Sequence, residues 1–273
     1  MWTTPFHWPQ ATSDPVAFAV NDLLYVAGGY DNAYNTYGNL SSLNVTNGHW
    51  DYDYPAMPTG RGDIRVETLD KINFYVIGGF SAPNFCVPSA AVEVYNVKTR
   101  KWRAVSPMLV PRGDVSVGVL GDNIFAIGGE TIAADCLHSI PVSFVSRYTV
   151  QTDVWVKEAS SPEDLFRYTS AAYNTSTSPH SRAIYLFGGQ GRFVGNDTDA
   201  GYYPIMSSTI KYVPVSSSSG QAAPAKLNGG DIAGIVIGGL VFLALVTLLV
   251  LFAIYYREVT LLFLQFFNHL III

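Results

Sequence analysis

Four Gly-Gly pairs recur at intervals of 50, 50 and 60 residues, each closing an apolar run, and no other feature of the chain constrains its fold as tightly. The runs are "LLYVAGG" ending at Gly28-Gly29, "NFYVIGG" at Gly78-Gly79, "NIFAIGG" at Gly128-Gly129 and "AIYLFGG" at Gly188-Gly189. Short stretches rich in β-branched and aromatic residues suit buried strands better than helices. A second β-like run precedes each, at residues 16–20, 64–69, 115–120 and 168–173. In the first three units the two runs meet at Asn21-Asp22, Asp70-Lys71 and Gly121-Asp122, which predicts hairpins. A variable loop follows each Gly pair. Then comes a third strand, "SSLNV", "AVEVYNV" or "FVSRYTV", and a tryptophan at Trp50, Trp102 or Trp155. About four strands in roughly 50 residues is the period of a radially repeated sheet.

Strand, Gly-Gly, loop, Tyr-bearing strand, short turn and Trp together resemble the kelch repeat, most clearly in "KINFYVIGGFSAPNFCVPSAAVEVYNVKTRKW", residues 71–102. The resemblance covers roughly residues 2–215. It implies an all-β, kelch-type β-propeller with four recognisable blades around a central channel. It also implies that the glycines allow backbone approaches a Cβ would forbid, and that the Tyr and Trp rings fill space between blades. The fourth copy departs from the pattern: "SSTIKYVPV" has no tryptophan after it, and the first hairpin carries the insert "NTSTSPHS". Trp2 stands 12 residues before Asp14, as Trp102 stands 12 before Asp114. Residues 2–6 therefore either complete the fourth blade and close the ring, or end a blade of a larger propeller. The second, partial propeller is the expectation adopted.

Arg-Gly-Asp occurs twice, in "TGRGDIRV" and "LVPRGDVSV", with Arg61 and Arg112 51 residues apart. An adhesion ligand needs an exposed loop tip, whereas both copies stand where a strand begins. They match the place where kelch repeats carry an arginine after the interblade proline. The first unit keeps Asp14 but has Thr12 for the arginine; in the fourth, "LFRY", Arg167 is read as the retained arginine and the aspartate as lost. Such independent drift marks structural positions, so the tripeptide is read as repeat scaffold.

Beyond residue 215 the character changes. Residues 216–231 are a flexible Ser/Gly/Ala-rich linker. Residues 232–256 carry no charge over 25 positions, about 37 Å as a helix against a hydrocarbon core of about 30 Å, which predicts one transmembrane span. Gly234 and Gly238 form a G-x-x-x-G that would allow a weak homodimer. The apolar tail 257–273 is too short for an ordinary span; an interfacial segment, an extension of a tilted helix and a non-native end all remain open. Cys86 and Cys136 each lie seven residues after a Gly pair. They would form a disulfide if their Cα atoms fall within about 7 Å, and stay free thiols if the blades hold them farther apart. Sequons stand at Asn39, Asn44, Asn174 and Asn196, expected in exposed loops. These signals favour an extracellular or lumenal propeller. The absence of a signal peptide in "MWTTPFHWPQ" keeps a cytosolic, tail-anchored scaffold as the alternative.

Charged residues are only 14% and the net charge is −5, which argues against nucleic acid as a partner. The five histidines lack metal-ligand spacing, and no nucleophile elbow, phosphate loop or dinucleotide fingerprint is present. Some kelch propellers are copper oxidases resembling galactose oxidase, but no ligand of that site carries over to a residue here. Asp51, Asp53, Glu163 and Asp164 read as solvated turns. No catalytic, cofactor or metal residue is assigned. The expectation is a non-enzymatic module that recognises a protein or glycan through loops 30–43, 80–90, 130–140 and 190–206. The last loop holds Arg192, Phe193, Tyr202 and Tyr203, residue types enriched at interface hot spots.

Overall fold

The computed structural model describes residues 8, 10–81, 86–174, 182–195 and 201–214. The chain divides after Val215, and all the described residues belong to the first unit. The linker, the predicted span with Gly234 and Gly238, the tail, residues 2–6 and Asn196 lie outside the described residues. Among the described residues no helix is long and apolar enough to cross a membrane.

Four antiparallel sheets follow one another along the chain, and each is a simple meander. Blade 1 is β1 (Val16–Val20), β2 (Leu23–Ala27), β3 (Leu40–Asn44) and β4 (Trp50–Asp51). Blade 2 begins with β5 (Arg65–Thr68) and β6 (Asn73–Ile77). A small separate hairpin, β7 (Phe80–Ser81) and β8 (Val87–Pro88), precedes β9 (Val92–Asn96) and β10 (Lys101–Val105). Blade 3 repeats the plan with β11 (Ser116–Leu120), β12 (Asn123–Ile127), the hairpin β13 (Glu130–Ile132) and β14 (Ser139–Pro141), then β15 (Val145–Thr149) and β16 (Val154–Lys157). Blade 4 contributes β17 (Thr169–Asn174), β18 (Arg182–Phe187) and β19 (Thr209–Tyr212).

In blades 2 and 3 the second strand is covered on both faces. β6 "NFYVI" and β12 "NIFAI" are accordingly nearly continuous apolar runs, whereas the outer β10 "KWRAV" is largely solvated. The innermost strands converge: β1 packs on β5, β5 on β11 and β11 on β17. No comparable packing joins blade 4 to blade 1 among the described residues. The core lies between blades. Val16, Phe18 and Tyr25 meet Ile64, Phe74 and Tyr95, and Leu120, Phe125 and Ile127 meet Leu165, Ile184 and Leu186. Trp102 and Trp155 sit on outer strands against Tyr95 and Tyr148, each pair 5.1 Å between ring centroids. Their indole N–H groups donate back to Pro55 and Ser106, in the connection from the preceding blade. Trp50 instead stacks on Trp8 at 6.2 Å.

Each Gly pair marks where the chain entering the next blade passes. Gly78 and Gly79 have φ of 66° and 97°, and Gly79 N donates to Arg112 O at 3.0 Å. A Cβ on Gly78 would lie 2.5 Å from that carbonyl, so both conformation and approach demand glycine.

Two features were not legible in the sequence. The loops after the second and third Gly pairs fold into hairpins, and these bring Cys86 and Cys136 into a disulfide with Cα atoms 5.3 Å apart. Asn44, expected in the loop after a Gly pair, instead ends β3 at the opposite end of the blade. There its Oδ1 accepts from the backbone N–H groups of Thr46 and Asn47. Asn39 does lie in the post-glycine loop and is exposed, and Asn174 is the last residue of β17.

Candidate functional site

The repeated tripeptide sends its three residues to three different jobs. Arg61 is fully buried. Its Nη1 donates to Glu93 Oε2 at 2.6 Å and to Thr59 O, and its Nε donates to Gly78 O. Arg112 is equally buried but has Ser146 at the place Glu93 occupies in blade 2. It reaches Ala126 O at 3.0 Å and Ser146 Oγ at 3.3 Å and stands over the Phe144 ring, while its Nε and Nη1 have no hydrogen-bond partner among the described residues. Without a compensating carboxylate, burial pushes its pKa down to about 10. Gly62 and Gly113 lie beneath the rings of Tyr30 and Phe80, with which any Cβ would collide.

The aspartates turn toward the axis. Asp14, Asp63 and Asp114 have φ of 54°, 52° and 46°, in the left-handed region that Asp tolerates better than most residues. Arg167, at φ 53°, completes the set. The bridges Ser13–Tyr30, Gly62–Phe80, Gly113–Glu130 and Phe166–Gln190 each extend the inner hairpin of one blade, and as equivalent positions they give the four blades a common register. That register corrects the sequence reading: Arg167 takes the aspartate's place, and Leu165 takes the buried arginine's. The insert in the fourth hairpin hides this, because it lengthens the distance from the motif to its Gly pair. Blade 3 also departs, placing Glu130 where blades 1 and 2 place the aromatic rings of Tyr30 and Phe80.

These residues line a cavity of about 860 Å³ at the loop end of the inner strands. Its wall carries Asp14, Asp63, Glu67, Asp114 and Glu130 against the guanidinium groups of Arg65 and Arg167. Asp114 receives both arginines, Arg65 Nη2 at 3.0 Å and Arg167 Nε at 3.2 Å. Asp63 accepts the Tyr30 hydroxyl at 3.0 Å. Burial first, then repulsion from Asp114 and Asp14, pushes Asp63 up to about 7. Burial likewise pushes Glu130 up to about 7, with a hydrogen bond from Ser139 and then Arg167 drawing it down. Burial also raises Glu67. Among the described residues no group of three or more His, Cys, Asp or Glu is placed to hold a metal ion.

Beside the cavity, the expected binding loop divides. Phe193 and Tyr203 pack on each other at 5.2 Å, and Phe193 packs on His138 at 4.8 Å. Tyr203 Oη accepts from Ser139 N at 2.6 Å, tying the last loop to the β13–β14 hairpin. Tyr202 stays exposed, and Arg192 pairs at the surface with Asp164.

A family model described as the Kelch motif matches residues 73–109, the second blade from β6 through β10. Matching relatives carry the same name. These blades are kelch repeats. Kelch repeat and BTB domain-containing protein 1 of cowpox virus (strain Brighton Red) is 24% identical over 63% of this chain and 28% of its own. Kelch-like protein 26 of Danio rerio is 27% identical over 53% of this chain and 23% of its own. Kelch-like protein 38 of Rattus norvegicus is 25% identical over 82% of this chain and 36% of its own. The chain thus spans between 23% and 36% of the length of these three. Among solved structures, that of YjhT superimposes with a TM-score of 0.59 at 15% identity, over 76% of this chain and 68% of that one, a likeness of fold alone. The kelch register is what exposes the mouth. Asp14, Asp63 and Asp114 recur at 49 and 51 residues, a spacing that shows the repeat but not that the three side chains share one cavity.

Proposed function

We propose that this kelch propeller is a non-enzymatic binding module that recognises a partner protein through its loop end. Residues 232–256 tether it to a membrane, and the propeller lies on the extracytoplasmic side. The supporting observation is the rim. Tyr34, Val87, Leu137, Val194, Tyr202 and Ile205, all on or beside loops that follow Gly pairs, are between 47% and 86% exposed. Scattered apolar exposure is ordinary, and Val45, Tyr52, Leu109 and Tyr173 show it elsewhere, but the three most exposed large apolar side chains among the described residues, Leu137, Tyr202 and Ile205, all stand at this end of the scaffold. The rim is also braced by the Cys86–Cys136 bond and the Phe193–Tyr203 contact, which lowers the ordering cost of binding. The disulfide and the sequons support the extracytoplasmic placement.

Photo-crosslinking residues placed at Leu137 and Tyr202 of the full chain test the reading, with Val154 on outer strand β16 as control. One discrete protein adduct at both rim positions and none at the control is expected. Equal adducts at all three, or none, would overturn it. Glycosidase treatment of the expressed protein should raise its mobility; unmodified sequons with both cysteines as free, reduced thiols would move the propeller to the cytosol.

A further inference from the structure

We propose that the cavity at the propeller mouth is a receptor for a cationic side chain, a lysine or arginine presented by a segment of the bound partner. This rests on the loop-end reading above and names the chemistry recognised there. The wall sets five carboxylates against two guanidinium groups, and both guanidinium groups lean on Asp114. Among the described residues no cation stands within ion-pair distance of Asp14, Asp63 or Glu67.

A separate observation is Glu130, which is 2% exposed and borders the cavity. Its Oε1 lies 3.7 Å from Arg167 Nη2 and Ser139 also hydrogen-bonds the carboxylate, while its buried Oε2 has no hydrogen-bond partner among the described residues. A buried carboxylate oxygen without a donor is costly; on a cavity wall it is an acceptor awaiting one. Burial is the main cause of the raised pKa values of Asp63 and Glu130, and an arriving cation would draw both down. A single metal ion fits poorly, because no three ligating side chains converge among the described residues. The volume of about 860 Å³ is that of a site for an organic group. Tyr30, Phe80, Val117 and Tyr168 supply apolar wall for a methylene stem whose charged end reaches the carboxylates.

The test uses the full chain in detergent and fluorescein-labelled heptapeptides with a central lysine or arginine, against a glutamine version, with spermidine as a free-amine competitor. Saturable binding of the basic peptides is expected, with no binding of the glutamine peptide. Glu130→Gln and Asp63→Asn should each weaken it tenfold or more, and the double variant Asp51→Asn/Asp53→Asn, on the outer face, should leave it unchanged. The two mouth variants remove buried charge without changing shape, so melting temperatures at or above the parent's show that lost binding is not lost folding. Unchanged affinity in the mouth variants, equal weakening by the outer pair, or no peptide binding would each sink the proposal. Spermidine binding without peptide binding would overturn the assignment to a side chain. Rim crosslinks that persist when the peptides fail would leave the loop-end reading intact. Mouth binding without rim crosslinks would do the reverse.

Discussion

Arg61 and Arg112 share a motif, a burial and a rotation about the axis, yet only one is neutralised. Breaking a buried ion pair strands the surviving charge, at about 3–5 kcal/mol. Glu93→Ala should therefore lower stability by about that much in chemical denaturation, because Arg61 has no exposed surface to escape to. The complementary variant Ser146→Glu supplies Arg112 with its missing acceptor and should stabilise by about 1–3 kcal/mol, the range for hydrogen bonds to charged groups. A lower denaturation midpoint would show that the pocket has no room for the carboxylate. At the mouth, Asp63 and Glu130 have folded-state pKa values of about 7, above an unfolded value of about 4. Between those limits the native state binds more protons than the unfolded chain, so their contribution to stability declines as pH rises from about 4 to 7 and is level above. The groups facing them, Asp14, Glu67, Asp114, Arg65, Arg167 and Tyr30, set the background. The melting-temperature change between pH 5 and 8 should accordingly be smaller in Asp63→Asn/Glu130→Gln than in the parent.

At the scale of elements, the β7–β8 and β13–β14 hairpins decide how stiff the rim is. Two-stranded hairpins are marginal alone, and these are joined by a bond spanning 50 residues of sequence. Chain-entropy arguments put such a crosslink at about 4 kcal/mol. Cys86→Ser/Cys136→Ser should lose about that much and should be cut by protease at the two hairpins before the blades unfold. Uniform protection would show that the blades alone hold the hairpins. Gly62→Ala tests the blade-to-blade seam. Its Cβ would strike the Tyr30 ring, and overpacking of this kind costs about 1–3 kcal/mol. The sequence predicted the strand pairs of blades 1 to 3 because alternating or continuous apolar runs leave few other ways to bury them. It did not show the hairpins, whose strands of two or three residues carry no periodicity.

For the whole molecule, the proposed tether predicts that removing residues 232–273 moves the protein from the membrane fraction to the soluble fraction, as fractionation of the expressed chain would show. Retention in the membrane by the truncated chain would place the anchor elsewhere. The blade architecture was legible because its determinants are local. Paired glycines, β-rich runs and register tryptophans recur at one period, and each copy can be read without knowing where the others lie. The mouth was not, because it is made by one residue from each of several blades. Asp14, Asp63, Asp114 and Arg167 each stand just before the innermost strand of a different blade, and an insert in the fourth unit shifted the apparent alignment of Arg167. Only the equivalent bridges within each blade established that Arg167 stands in an aspartate's position and that Glu130 replaces an aromatic ring. Sequence alone determined that sheets repeat, roughly where each begins, and that the Arg-Gly-Asp pair belongs to the repeat. Tertiary structure decided which carboxylates share one cavity, which buried arginine lacks its partner and that the two cysteines meet, because those are distances between blades, and a linear spacing does not encode them.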